Sequence, residues 1–523
     1  MVSKLRLPLG LGPTVVCLLS GLLLTAAFPN LGLWPLAFMA WSPMLVATAG
    51  RDPGQAFWAG FLAGLAHFST LLYWIIIVLV QYGNLPWLLA GPVFVLLVGY
   101  LALYPAFFVY LLNLAGRRLS LRIGGLVWVL VGAVCYTGLE YIKSFLLTGF
   151  PWEPLGSALA GSLTMVQLAD LVGSGGLTFL VVLVNMALAA AFMSFRSRGW
   201  SAAVWPVALG LAVLVVLAGY GAIRLAQVRE EMARAESKTV SVVQGSIEQS
   251  LKWNPDQRIF TMLTYRDLTQ KAAANKPWLV VWPETAMPFF FQNDQTATEW
   301  LEAMVRETGS ALLFGGPAFE EVGQETHYFN RAYLLDGRGK VLDHYDKVHL
   351  VPFGEYVPLQ KYLTFVKKLT QAAGDYVAGP GARVLTLDGT GLGVLICYES
   401  IFPELARRQV QAGSDYLVVI TNDAWFGRSS APYQHFSMAV LRAVENRRAV
   451  IRAANTGISG LILPSGETVE TLGLFERQQL TGSLPSLEIR TIYTAWGDLT
   501  SIICFVVMVL FLAAPFMRRK RHV

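Results

Sequence analysis

Seven apolar runs crowd the first 225 residues of this chain and an eighth closes it, over about residues 8–28, 34–49, 56–81, 86–113, 123–147, 170–194, 203–223 and 496–517. A hydrocarbon core about 30 Å thick takes roughly 20 apolar residues per helix, so the pattern predicts eight transmembrane helices. Hydrophobic residues at 54%, charged residues at 14% and a mean hydropathy of +0.50 fit a bilayer better than a soluble globule. Thr25 and Ala27 are small residues of the kind that precede a leader cleavage. Nothing else calls for a cut, and the first run is read as a retained helix.

Lys and Arg near helix ends stay on the cytoplasmic side, and here they alternate. Lys4 and Arg6 precede the first run. Arg51 follows the second, Arg117, Arg118 and Arg122 the fourth, Arg196 and Arg198 the sixth, and Arg518, Arg519, Lys520 and Arg521 the eighth. Intervening loops such as 29–35 and 82–86 carry no cation, although Lys143 stands near the outer end of the fifth run. The stretch from about Arg224 to Ala495 is therefore expected outside, which in a Gram-negative bacterium is the periplasm. The expected domains are a seven-helix bundle over 1–225, an extracytoplasmic domain over 226–494, and a last helix with a basic cytoplasmic tail over 495–523. Those flanking clusters account for twelve of the 40 cations behind the net charge of +6, and no nucleic-acid module accompanies them, so no nucleic-acid partner is expected.

The soluble stretch changes character to short β-branched runs separated by polar helices. Strands are expected over Thr239–Val243, Trp278–Trp282, Ala311–Phe314, Ala332–Leu335, Val341–Tyr345, Val384–Leu387, Val394–Cys397, Tyr416–Thr421, Ala449–Ala454 and Gly460–Leu463. Helices are expected over Gln257–Ala274, Thr296–Thr308, Phe402–Ala412 and Pro432–Arg447. Asp336-Gly337 and Asp388-Gly389 signal tight hairpins. The class is α/β, in a domain large enough to bury its own core.

Of four cysteines, Cys17, Cys135 and Cys504 fall in apolar runs, leaving Cys397 alone in the outside domain. An oxidising compartment pairs thiols, so an unpaired one is either reactive or a buried structural residue. Cys397 ends one expected strand, Glu284 follows another, and Lys347 follows a hairpin strand. In open α/β sheets the carboxyl ends of strands face the ligand crevice, so the three can converge. A thiol is a weak nucleophile until a base takes its proton, and Glu284 can be that base. Lys347, with the backbone N–H of Tyr398, can stabilise the oxyanion that forms when sulfur attacks a carbonyl. Taken singly, each residue has an ordinary structural explanation. His344 and His349 lie near Asp343 and Asp346, but their spacing matches no zinc motif, and no G-x-S-x-G elbow or phosphate-binding glycine loop occurs. Neither metal nor cofactor is expected.

The words WPET (282–285), KVHLVPFGEYVP (347–358) and ICYES (396–400) together resemble the nitrilase, or carbon-nitrogen hydrolase, superfamily and its Glu-Lys-Cys triad. With seven apolar runs before the domain and one after it, the chain more narrowly resembles the apolipoprotein N-acyltransferase family. The resemblance implies a nitrilase-like αββα sandwich, with Glu284 as base, Lys347 as charge stabiliser and Cys397 as nucleophile. It also implies that Glu355 orients the lysine, that Tyr398 and Glu399 flank the nucleophile, that Trp253 is functional, and that Trp425 and Phe426 line an acyl pocket. The implied partners are a phospholipid donor, commonly phosphatidylethanolamine, and a diacylglyceryl-cysteine lipoprotein acceptor, acted on by a monomer in the inner membrane. Two alternatives remain: a membrane-anchored amidase, in which water resolves the thioester, and a transporter, for which Glu140 is the main intramembrane charge.

Overall fold

The computed structural model describes residues 9–252, 255–356 and 376–519. Within them the chain forms two compact units, one of residues 9–73, 88–224 and 496–519, the other of 74–87 and 225–495.

Among the described residues four helices are long and apolar enough to cross a bilayer: Trp87–Arg118, Leu126–Lys143, Met165–Arg198 and Trp200–Arg234. Leu11–Ala26 and Leu499–Ala513 are shorter apolar helices, and the run 56–81 is broken into Pro53–Leu71 and Trp74–Tyr82. The run 34–49 departs most from its expected single helix. It forms a 3-10 turn, Trp34–Phe38, and a seven-residue helix, Ser42–Thr48, which rises only about 10 Å. Pro35 and Pro43 sit in the first turn of each piece, where a missing N–H does no harm; inside one continuous helix they would break the ladder. The irregular backbone between the pieces is satisfied by the buried Asn185, whose Oδ1 accepts from Trp41 N at 2.9 Å and whose Nδ2 donates to Ala37 O at 2.8 Å. Glu140 serves a similar end. Its carboxylate accepts from Leu155 N (3.0 Å) and Thr178 Oγ1 (2.6 Å) with Lys143 3.6 Å away, so it fastens a loop. Gly60 lets two helices touch, since a Cβ there would lie 2.3 Å from Pro105 O.

The second unit holds two six-stranded sheets among the described residues. The first contains β1 (Ser237–Gln244), β2 (Leu279–Val281), β3 (Ala311–Val322), β4 (Glu325–Leu335) and β5 (Val341–Asp346). The second contains β6 (Val384–Leu387), β7 (Thr390–Ile396), β8 (Tyr416–Thr421), β9 (Ala449–Ala454), β10 (Ser459–Ile462) and β11 (Thr468–Leu472). β12 (Gln478–Pro485) returns to the edge of the first, giving the orders β12-β1-β2-β3-β4-β5 and β11-β10-β9-β8-β7-β6. In each, three central strands run parallel, β1-β2-β3 and β7-β8-β9. The two hairpins foreseen from Asp-Gly join β4 to β5 and β6 to β7.

Strand alternation builds the layers. Val240, Val242, Leu279, Val281 and Leu313 pack in one cluster with Val394, Ile396, Val418, Ile420 and Ile451, so the sheets meet face to face. Val243, Val280, Trp282 and Phe314 point the other way, against Tyr265 and Leu268 of helix Arg258–Ala273 and Leu301, Met304 and Val305 of helix Gln295–Thr308. Helices Pro403–Gln411 and Ala431–Asn446 cover the second sheet. β11 and β12 escaped the sequence reading because they are edge strands whose exposed Thr468, Val469, Glu470 and Gln478 blur the apolar pattern.

Candidate active site

Polar side chains gather where the parallel strands end. Glu284 lies three residues beyond β2, Lys347 directly follows β5, Cys397 follows β7, and Asn422 and Asp423 follow β8. The turn carrying Glu284 runs against β3 because position 315 is glycine: a Cβ there would lie 2.7 Å from Glu284 Cα.

Lys347 is fully buried and donates to Glu355 Oε1 at 2.9 Å, with Glu284 Oε1 at 3.7 Å. Asn330, on β4, bridges the two carboxylates, its Nδ2 donating to Glu284 Oε1 (2.7 Å) and Glu355 Oε1 (2.8 Å). Glu284 Oε2 accepts from the backbone N–H of Asn422 at 3.0 Å, and Glu355 Oε2 from that of Val351 at 2.8 Å. Both carboxylates are thus fixed in orientation. Burial alone would depress the Lys347 ammonium, but the charges of Glu355 and Glu284 prevail and hold it above the ordinary lysine range. Lys347 is a fixed positive charge.

Cys397 sits at φ +53°, a left-handed corner that costs a non-glycine residue about 1–3 kcal/mol. Its carbonyl accepts from Ser400 Oγ at 2.9 Å and lies 3.2 Å from His435 Nε2. Burial, then the charge of Glu284, pushes the thiol well above its usual range, with Lys347 opposing. The resting sulfur is therefore neutral and requires a base. Glu399, completely buried, ties this corner to the lysine loop: Oε2 accepts from Ile396 N (2.7 Å), and Oε1 from Val348 N (2.6 Å), His349 N (3.0 Å) and Tyr345 OH (3.0 Å). Burial raises its carboxyl to about 7 against the pull of those N–H groups. The Tyr398 ring packs edge-on to Phe402, centroids 5.1 Å apart.

The aromatic expectations fare differently. Trp425 and Phe426, half-buried, stack against the segment Trp74–Trp87: Phe426 meets Trp74 at 4.9 Å and Trp425 meets Tyr82 at 5.4 Å. Trp253 lies outside the described residues. Glu320, His344 and Asp346 lie close enough for one ion, but the Arg331 guanidinium already donates to both carboxylates at 2.6 Å. His349 is not in that group; its ring stacks on Phe402.

A carbon-nitrogen hydrolase model matches residues 239–493, and a model of the apolipoprotein N-acyltransferase N-terminal domain matches residues 20–187. An apolipoprotein N-acyltransferase of Geobacter metallireducens is 44% identical over 97% of this chain and 96% of its own length. Another, of Methylococcus capsulatus, is 33% identical over 97% and 96%. The chain belongs to the apolipoprotein N-acyltransferase family. A solved amidase from Nesterenkonia sp. is also similar, at 23% identity and TM-score 0.36 over 47% of this chain and 90% of that one. The second unit of this N-acyltransferase family member has the nitrilase-like form, two sheets between helical layers.

Several residues of this N-acyltransferase fold went unseen in the sequence reading. Asn330 lies beside Arg331 in the run Tyr328-Phe329-Asn330-Arg331-Ala332 of β4, ahead of the expected strand Ala332–Leu335, and strand alternation does not single it out. Lys252, in the short helix Gln249–Lys252, is buried, and its Nζ donates to Glu284 O (3.2 Å) and Asn422 Oδ1 (3.4 Å). Behind Cys397, buried His435 contacts Ser400 Oγ (2.8 Å) through Nε2, and Asp423 Oδ1 (2.9 Å) and Arg452 Nη2 (3.0 Å) through Nδ1. Ser, His and Asp lie far apart in sequence there, and no spacing rule joins them.

Proposed function

We propose that this protein moves an acyl chain from a phospholipid to the N-terminal amine of a diacylglyceryl-cysteine lipoprotein, through a thioester on Cys397. The observation that carries the chemistry is the buried Glu284–Lys347–Glu355 cluster, bridged by Asn330, beside an unpaired neutral thiol. Family membership favours transfer over the amidase reading, because relatives matching nearly the whole chain bear the transferase name.

In the first half-reaction Glu284 takes the thiol proton as sulfur attacks the ester carbonyl carbon. Lys347 and the Tyr398 N–H hold the oxyanion. The carbon–oxygen bond then breaks, the departing lysophospholipid alkoxide takes the proton from Glu284, and the acyl chain remains on sulfur. In the second, the acceptor amine attacks the thioester and gives its proton to Glu284. The carbon–sulfur bond breaks, an amide forms, and the thiolate recovers the proton. Phosphatidylethanolamine is the donor we assign, Trp425 and Phe426 the residues that meet the acyl chain, and Trp253 a further substrate-binding residue.

The cation alternation supports eight passes through the inner membrane, with residues 34–48 returning the chain as two short helices. The domains in this reading are a bundle over 1–225, a periplasmic catalytic domain over 226–494, and a last helix and cytoplasmic tail over 495–523. Incubation with acyl-labelled phosphatidylethanolamine is expected to give a hydroxylamine-sensitive adduct that is absent from Cys397→Ala. An adduct that persists in that variant sinks the assignment of the nucleophile. A diacylglyceryl peptide added afterwards is expected to take up the label; release as free fatty acid would instead support the amidase.

A further inference from the structure

Lys252 is 2% exposed, and burying an ammonium is costly unless something nearby requires its charge. Its Nζ binds the main-chain carbonyl of Glu284 and the side chain of Asn422, and the N–H of Asn422 holds the Glu284 carboxylate. The lysine therefore grips the proposed base from two directions. Asn422 is braced in turn by Asn455 Nδ2, which donates to its Oδ1 at 2.9 Å and to Ile247 O at 2.7 Å, so the segment leading to Lys252 is docked on the site.

Charge balance points the same way. Glu284 and Glu355 place two negative charges around Lys347, and when Glu284 takes the thiol proton the thiolate at Cys397 carries one of those two in its place. The charges that act on Lys252 are Glu284, at the end of β2, and Cys397, at the end of β7. Asp423, next to Asn422, is engaged by Arg452 at 2.8 Å and His435 at 2.9 Å. With Lys252 protonated, the cluster of Glu284, Glu355, Lys347 and Lys252 sums to zero while the thiol is neutral. Proton transfer from Cys397 to Glu284 then leaves the sum unchanged.

We propose that Lys252 is a second active-site cation, a positioning residue that holds Glu284 in place and offsets the negative charge of the two carboxylates and the nascent thiolate. The inference rests on the assignment of Glu284, Lys347 and Cys397 above. Burial lowers the Lys252 ammonium to about 8, against the pull of Glu284 and Cys397, so its charge is present at neutral pH and is lost as pH rises through that value. Arginine stays protonated throughout this range.

The test is single-turnover release of lysophospholipid from phosphatidylethanolamine micelles between pH 6 and 9.5 by the full-length protein. The donor's own ammonium is the same for every enzyme form, so differences between forms isolate Lys252. Wild type is expected to lose rate above about pH 8. Lys252→Met is expected to be about 10–100-fold slower at pH 7. Lys252→Arg is expected to recover most of that loss and to keep its rate to at least a full pH unit above the wild-type fall. A Lys252→Met rate within about threefold of wild type overturns the proposal, as does a wild-type alkaline fall in Lys252→Arg. Equal losses in both variants with unchanged melting transitions also count against it, since they would show shape rather than charge to matter. If wild type itself yields no Cys397 adduct, the triad assignment fails, an outcome distinct from all of these.

Discussion

The two sheets bring different things to the crevice. The first ends in charges: Glu284 and Lys347, with Glu355 close behind and Asn330 bridging the carboxylates. At the end of the second the nucleophile itself stands on a strained corner, Cys397 at φ +53°, with Asp423 at φ +47° after β8, whereas in the first the corner falls on Thr285 (φ +49°), beside Glu284 and not on it. Buried polar groups hold the corners of the second sheet, with His435 in contact with both Cys397 O and Asp423. Charge placed in low dielectric acts strongly on a developing oxyanion, whereas a strained corner fixes where the sulfur stands. Electrostatics on one side and geometry on the other predict different failures.

The largest effect is expected on the charged side. Glu284→Gln keeps the shape and removes the proposed base, and acyl-enzyme formation should fall by about 10²–10⁴-fold, with a loss of stability of about 1–3 kcal/mol because its NH2 must face a donor, Asn330 Nδ2 or Asn422 N. Lys347→Met should lose about 10²–10³-fold in the same step and also destabilise the fold by about 3–5 kcal/mol, because two buried carboxylates lose their cation. Rapid-quench labelling and thermal melting in detergent separate the two results. Intact stability in Lys347→Met would contradict a buried cluster held by charge.

On the strained side, His435→Phe should slow acylation by about tenfold and lower the melting temperature, while His435→Asn, which keeps polar atoms near Ser400 and Asp423, should restore part of both. If both variants acylate at the wild-type rate, the corner does not need its brace. Smaller effects are expected in the pH dependence of stability. The Asp423 carboxyl is driven up by burial but down further by His435 and Arg452, to about 2. Its contribution is present above about pH 4 and is lost as pH falls toward 2. Glu399 behaves in the opposite sense. Its folded value of about 7 exceeds the ordinary 4.5, so its favourable contribution is complete below about pH 4.5 and is lost as pH rises through 7. Glu399→Gln should flatten the decline in melting temperature between pH 4.5 and 7, and Asp423→Asn should leave it in place.

Periodicity and punctuation made much of the catalytic unit legible. β-branched runs marked ten strands, Asp-Gly marked two hairpins, and strand ends drew attention to Glu284, Lys347 and Cys397, because a polar residue after a buried strand is conspicuous in one dimension. Apolar length marked the membrane character, but it overstated residues 34–49, where Pro35 and Pro43 and the distant Asn185 favour two short helices. The tertiary structure alone decided what meets what. Asn330 stands 46 positions from Glu284, Asn422 stands 138 away, and Lys252 reaches the site from a helix before β2. Hydrogen bonds and buried charge depend on distances of a few ångströms, and those distances exist only once β2 and β4 lie in one sheet, as for Glu284 and Asn330, or the two sheets have packed face to face, as for Glu284 and Asn422.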